Sequence, residues 1–297
     1  MGTGSHIVTD SSSCLPPGWA AAHDVTVIPQ RFILDGVPCQ DGGDISTNEF
    51  YRRMEAGAIS MSSQPGPEEF RSAYERAGAD DAEVISIHIG AGLSGTLNSA
   101  YAVASGLDSG RVHVVDSRSA GLGLGFLVME AARMAAEGAP AVDVLAAIED
   151  MIPRTRVYFL LHTVKYLVRG GRVGRAAGVA ASLLNVRPIL TFTDGATAVI
   201  ARARTHHAAE TALWRLVDDS ASRGLQRVGL HYGLNPSEAQ TWSRRLAERH
   251  GVETVITQLS PAVGAHSGPS ILGVVLVENS QPPRSRVGRG PRSDAPL

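Results

Sequence analysis

At 297 residues, with a net charge of −2, 43% hydrophobic and 19% charged side chains, the chain has a soluble globular composition and is long enough for two domains. Near-neutral charge excludes a bulk electrostatic demand for nucleic acid, and two cysteines, Cys14 and Cys39, exclude a disulfide framework or a zinc site. No run of about eighteen apolar residues is present to cross a membrane. The first residues, Met1 to His6, carry neither a basic start nor an apolar stretch, so no export signal is expected and a reducing cytoplasm is the expected compartment.

In chain order, His6 to Asp10 reads as a strand ending in the polar cluster Asp10-Ser11-Ser12-Ser13, where a site could form. Asp24 to Pro29 and Arg31 to Leu34 read as short strands. Ser46-Thr47-Asn48-Glu49 has the hydroxyl and acid of a helix start. Ser60 to Pro65 reads as a polar loop before Pro67-Glu68-Glu69, where proline and two acids open another helix.

Glu83 to Ile89 reads as a buried strand and Asn98 to Ser105 as a helix, with Leu93-Ser94-Gly95-Thr96 between them. A strand that turns through glycine into a helix gathers free N–H groups, the positive end of the helix dipole and two hydroxyls at one spot. Such a spot suits an anion, although a hydroxyl there also serves as a simple helix cap. Arg111 to Ser117 is a further strand ending in Asp116 and Ser117. Gly121 to Gly138 and Val142 to Met151 read as helices. Repeated strand–helix units predict a largely parallel sheet with ligands at its strand ends.

A boundary is expected near residue 155, dividing an α/β domain over 5–155 from a second over 156–280. The second half begins with a strand, Val157 to Leu161, and an arginine/glycine loop, Arg169 to Arg175. Pro188 to Phe192, Asp194-Gly195 and Ala196 to Ala203 read as a hairpin. Ala208 to Arg223 and Pro236 to His250 read as helices. Arg227 to Tyr232, Val252 to Leu259 and Ile271 to Glu278 read as strands, with Val263 to Ser270 a loop. This half is therefore α/β with a mixed sheet, and the segment 281–297, rich in Pro, Arg, Ser and Gly, is expected to be disordered.

Gly121-Leu122-Gly123-Leu124-Gly125 places its third glycine one position early for a dinucleotide fingerprint, and no Gly-Lys-Ser/Thr occurs. Close helix–sheet packing is the expected role of these glycines. Ser94, His266 and Asp116 can be cast as nucleophile, base and acid of a lipid hydrolase or acyltransferase, but Ser94 lacks the Gly-x-Ser-x-Gly elbow. His88 and His113 fall within apolar strands and read as hydrogen-bonded core or edge residues. No His and acid pairing has metal-ligand spacing in sequence.

Taken together, Thr9-Asp10-Ser11-Ser12, Ser62-Ser63-Gln64-Pro65, Leu93-Ser94-Gly95-Thr96, Val115-Asp116-Ser117, Tyr166-Leu167 with Gly170-Gly171-Arg172, Arg187-Pro188-Ile189-Leu190 and Gly264-Ala265-His266-Ser267-Gly268-Pro269 occur in the order of the DegV family. The resemblance spans about residues 6–278. It implies two α/β domains with a ligand site near their junction and a bacterial fatty-acid-binding subunit without catalytic machinery of its own. It further implies presentation of the carboxylate to an ATP-dependent kinase subunit, which makes acyl phosphate for phospholipid synthesis. By resemblance, Ser62 and Ser94 bind the carboxylate with Gly95, Thr96, Arg172, His266 and Ser267 around it, and Arg202 or its neighbour Arg204 faces the partner. No metal or cofactor beyond the bound fatty acid is implied, and contact with a membrane surface would be transient. The sequence has Ser62 where the family usually has threonine, Ser267 where threonine commonly follows the histidine, and Arg187 where lysine often precedes the proline. These exchanges keep a hydroxyl or a charge.

Overall fold

The computed structural model describes residues 4–107, 110–173 and 186–280. The segment expected to be disordered and the end of the arginine/glycine loop, Gly174 and Arg175, lie outside the described residues.

The chain starts with β1 (Ser5–Asp10), a short helix α1 (Trp19–Ala22), β2 (Val25–Ile28), β3 (Arg31–Leu34) and β4 (Val37–Gln40). Helix α2 (Thr47–Glu55) is capped by Ser46, whose hydroxyl accepts the Glu49 N–H. Then come β5 (Ser60–Ser63), α3 (Pro67–Ala77), β6 (Glu83–His88), α4 (Thr96–Ser105), β7 (Val112–Asp116), α5 (Leu122–Ala136) and α6 (Ala141–Met151). The second half contains β8 (Thr155–Leu161), α7 (Lys165–Arg169), β9 (Arg187–Thr193), β10 (Ala196–Ala203) and α8 (His206–Ala221). It closes with β11 (Leu225–Tyr232), α9 (Ser237–His250), β12 (Val255–Gln258), α10 (Pro261–Ser267) and β13 (Ile271–Glu278).

Three sheets organise these elements: a parallel sheet in the order β2-β1-β6-β7, a mixed sheet β10-β9-β8-β13-β11-β12, and a small antiparallel sheet β4-β3-β5. Two expected loops are in fact regular. Ser60 to Ser63 pairs antiparallel with β3 because Ser60 and Ser62 alternate with Met61, a period of two that its serine-rich composition conceals. Within the expected loop Val263 to Ser270, residues up to Ser267 belong to α10, which starts at Pro261, a favoured first helical position.

The layers follow from which faces are apolar. Helices α3 and α4 cover one side of the parallel sheet through Phe70, Tyr74, Ala100 and Val103. Helix α5 is buried from Leu122 through Met129 and packs between the parallel and mixed sheets, which is why that stretch is apolar all round. The far side of the mixed sheet is covered by α8 and α9, whose Trp214 and Trp242 rings stack 4.2 Å apart. Alternation along β8 divides the two cores: Tyr158 and Leu160 face the tryptophans, whereas Val157, Phe159 and Leu161 face α5. A Cβ on Gly123 would lie 2.7 Å from Val157, and one on Gly125 2.6 Å from the Ser13 carbonyl. The glycine run therefore lets α5 lie close against both neighbours. Buried His231 on β11 ties the layers together by accepting the Leu122 N–H at 2.7 Å through Nε2.

Candidate functional site

The ends of β1 and β6, the loop before α4, one face of the mixed sheet, and a wall made by β5, α7 and α10 enclose a cavity. Its empty volume is about 750 Å³, open water at its mouth included. The sheet face supplies Phe159 and Leu161 from β8, Leu190 and Phe192 from β9, and Ile271 from β13. Each pair on one strand is two residues apart, so one sheet face becomes a continuous apolar floor. Leu93, Leu167, Leu259 and Val263 complete the walls, and the polar lining groups include Ser62, Ser94, Arg172, His266 and Ser267.

Residues separated by up to 204 positions meet at this polar end: Ser62 Oγ lies 2.6 Å from His266 Nε2. The His266 ring packs on Gly170 so closely that a Cβ there would lie 2.0 Å from Nδ1, and Nδ1 has no hydrogen-bond partner among the described residues. Burial, and then the charge of Arg172, lower the His266 pKa to about 4, so the imidazole is neutral at physiological pH. Arg172 is held by donating to the Leu93 carbonyl at 3.2 Å and the Gly170 carbonyl at 2.8 Å.

Ser94 lies in the loop before α4. Its Oγ accepts the Thr96 N–H at 3.3 Å and sits 2.8 Å from Thr96 Oγ1, so it bonds at the helix start and lines the cavity as well. Thr96 itself is fully buried, with Oγ1 accepting from Gln30 Nε2 at 2.9 Å. Gly95 turns toward Gln64 instead, whose amide oxygen a Cβ would meet at 2.0 Å. Thr96 and Gly95 therefore support Ser94 from behind, while Ser62, Ser94, Arg172, His266 and Ser267 line the space.

Behind Ser94 stands a buried polar network of which sequence reading picked out the strand end and His88 as a hydrogen-bonded residue. Asp10 Oδ1 accepts from Ser12 N at 3.0 Å, Gln30 Nε2 at 3.1 Å and the Ser12 hydroxyl, and Oδ2 from Ile89 N at 3.1 Å. His88 Nδ1 lies 2.9 Å from Oδ2, and its Nε2 continues to Ser86 and then Tyr74. Burial raises the Asp10 pKa, but the hydrogen bond and charge of His88, with Ser12 and Gln30, outweigh it and leave the carboxyl below its ordinary value. Gln30 carried no signal of its own in the sequence.

The constellation of Ser94, His266 and Asp116 is not assembled: His266 bonds Ser62, and Asp116 accepts the N–H groups of Ala91 and Arg118. Ser62 with His266 is a hydroxyl–imidazole pair, but no acid among the described residues reaches Nδ1 to orient the ring. Arg202 and Arg204 are exposed. A register shift between Val199 and Ala201 pairs Arg202 with Pro188, which shares a sheet face with Leu190, so Arg202 lies on the cavity side of that sheet.

One grouping that sequence spacing did not reveal is His162, His206 and Glu238, whose ligating atoms lie within 4.8 Å of one another. They meet at the starts of α8 and α9, and Arg187 sits 3.3 Å from His162 Nδ1. Two positive helix ends and a guanidinium favour the Glu238 carboxylate there over a metal cation.

An α/β protein built on a parallel and a mixed sheet thus encloses an apolar cavity with hydroxyls, an imidazole and a guanidinium in its lining, a chemistry that suits an amphiphile with an apolar tail and a polar head. The DegV family, described as an uncharacterised protein family, matches residues 5–279, and the chain belongs to it. A DegV domain-containing protein of Caldanaerobacter subterraneus subsp. tengcongensis is 32% identical over 277 residues, covering 92% of this chain and 98% of that one. Among solved structures, a fatty-acid-binding DegV family protein from Thermus thermophilus is 31% identical with a TM-score of 0.85, covering 93% of this chain and all of that one (100%). DegV of Bacillus subtilis, a fatty acid binding protein, is 28% identical with a TM-score of 0.86, covering 94% and 100%.

Proposed function

We propose that this protein binds one long-chain fatty acid, tail along the sheet floor and carboxylate at Ser62 and Ser94, and presents that carboxylate to a separate ATP-dependent kinase subunit for acyl-phosphate formation. The observation that carries the reading is the cavity itself: a mainly apolar lining that brings the Ser62 and Ser94 hydroxyls together with an arginine and a neutral imidazole. Each buried methylene is worth about 0.8 kcal/mol, so a sixteen-carbon tail has on the order of 10 kcal/mol available before the costs of ordering it. The tail supplies affinity and the polar end fixes orientation. A desolvated carboxylate needs charge-assisted hydrogen bonds, which the serines and Arg172 are placed to give.

A hydrolase acting through a serine is disfavoured by the unpartnered Nδ1 of His266. The test is to strip the purified protein of lipid and titrate it with palmitate and oleate. One acid per chain is expected, and a cognate kinase subunit with ATP then forms acyl phosphate. Absence of uptake would refute the binding; uptake without phosphorylation by any such subunit would refute the presentation. A fluorophosphonate probe is expected to leave both serines unlabelled.

A further inference from the structure

The two serines at the polar end are each wired, by separate chains of hydrogen bonds, to a group that decides which way the hydroxyl points. On the Ser94 side the chain starts at Asp10, whose oxygens receive the N–H groups of Ser12 and Ile89, the Ser12 hydroxyl, the Gln30 amide and His88. A carboxylate so surrounded can only accept, which fixes the Gln30 side chain with its NH2 toward Asp10, since the flipped amide would set oxygen against oxygen. The same Gln30 nitrogen is 2.9 Å from Thr96 Oγ1, so Thr96 accepts there. Its own hydrogen has two outlets, Ser94 Oγ at 2.8 Å and Gln30 Oε1 at 3.4 Å, and the shorter is the better bond. Ser94 Oγ then accepts from both the hydroxyl and the N–H of Thr96. What remains to Ser94 is one hydrogen to donate, and Ser94 lines the cavity.

The Ser62 side ends the same way. Nδ1 of the neutral His266 has no partner among the described residues, and Arg172, held on the Gly170 carbonyl beside the ring, carries positive charge. A bare lone pair is better suited to that position than an N–H, which would be an unsatisfied buried donor facing a cation. The proton therefore sits on Nε2 and is donated to Ser62 Oγ at 2.6 Å. Ser62, too, is left with a hydrogen to give.

We propose that Asp10, acting through Gln30 and Thr96, and His266, acting through its Nε2–H, are positioning residues that leave both serines as donors, so that the site selects a head group with two acceptor oxygens and no obligatory donor. The inference rests on the fatty-acid reading above and adds a discrimination that the reading does not require. An ionised carboxylate satisfies both serines. A primary amide of the same size offers one acceptor and one NH2, and its NH2 confronts a hydroxyl hydrogen. The difference between the two ligands is a single group, so the ratio of their affinities isolates the polarity of the site from the burial of the tail.

The experiment measures Kd for palmitate and for palmitamide in lipid-stripped wild type, Thr96→Val, Gln30→Met, His266→Leu and His266→Gln. Wild type is expected to favour palmitate by at least about 100-fold. Thr96→Val removes the hydroxyl that orients Ser94, and Gln30→Met removes the amide that orients Thr96. Each is expected to narrow the ratio about tenfold or more, with palmitamide binding gained or held while palmitate binding falls. His266→Leu is expected to narrow it likewise. His266→Gln, whose amide NH2 reaches the place of Nε2–H, is expected to restore the wild-type ratio. If wild type binds palmitate but both affinities fall in parallel in the variants, these residues are only structural and the polarity proposal is overturned. A wild-type ratio near one overturns it as well. If wild type takes up neither amphiphile, the fatty-acid reading itself falls, and this proposal with it.

Discussion

Gly170 offers a direct way to move His266 without touching it. Its backbone, at φ −75° and ψ −5°, suits any residue, so the consequence of Gly170→Ala is steric alone. The new Cβ would lie 2.0 Å from His266 Nδ1 and 2.8 Å from Cε1, where 3.4 Å is the near limit of ordinary contact. The ring must therefore retreat by more than an ångström, beyond what the 2.6 Å bond to Ser62 can tolerate. Loss of that bond is worth about 0.5–1.5 kcal/mol, rising to about 1.5–3 kcal/mol where the freed hydroxyl would have met a charged carboxylate. Fatty-acid affinity is expected to drop about 2- to 160-fold across that range. The assay is titration of lipid-stripped protein with palmitate, alongside Gly106→Ala, whose Cβ would meet nothing nearer than 3.5 Å and should bind as wild type. Wild-type affinity in a folded Gly170→Ala protein would refute the role given to the His266–Ser62 pair.

Stability should rise with pH between about 4 and 6.5, because the pKa values of His231 and His266 are lowered to about 4 by burial, so the unfolded chain binds their protons first as pH falls. His231 alone is worth about 3 kcal/mol across that window. Asp41, raised to about 6 by burial, works the other way from its ordinary value up to about 6 and should blunt the slope without reversing it; denaturant titrations from pH 4 to 8 would show a flat profile if the burial argument were wrong. Shortening the ligand from palmitate to laurate should weaken binding about fourfold per methylene, and a Kd independent of chain length would remove the tail from the apolar floor. Arg202→Ala should leave fatty-acid affinity near wild type yet slow acyl-phosphate formation with a kinase subunit, more so at low salt. An unchanged rate at subsaturating protein would clear Arg202 of a docking role.

The sequence reading placed the strand ends and the Ser94 turn because local chemistry marks them: β-branched runs, glycine turns and acids or proline in first helical turns. It missed the pairing of Ser60 to Ser63 with β3, since a serine-rich strand resembles a loop until its partner is known. It missed α10 within Val263 to Ser270, where alanine, glycine and a histidine give no helical stripe. Gln30 was invisible for a different reason. Its side chain acts across 66 positions to Thr96 and 20 to Asp10, and a lone glutamine after Pro29 has no local feature that reports such a contact. Ser62 was named only because its motif resembles that of a family, and His266, which the residues alone offered as a base for Ser94, was placed beside Ser62 only by the same resemblance. The 2.6 Å contact that joins them depends on β5 and α10, the two elements that were read as loops.

The central claim, that the cavity holds a fatty acid, is tested most directly by mass spectrometry of the organic extract from freshly purified, folded protein expressed in an ordinary bacterial host. The account predicts a long-chain fatty acid near one equivalent per chain, lost in a variant whose cavity floor is blocked by Leu190→Trp. An extract free of fatty acid, from protein that also fails to take up added palmitate or oleate, would contradict it.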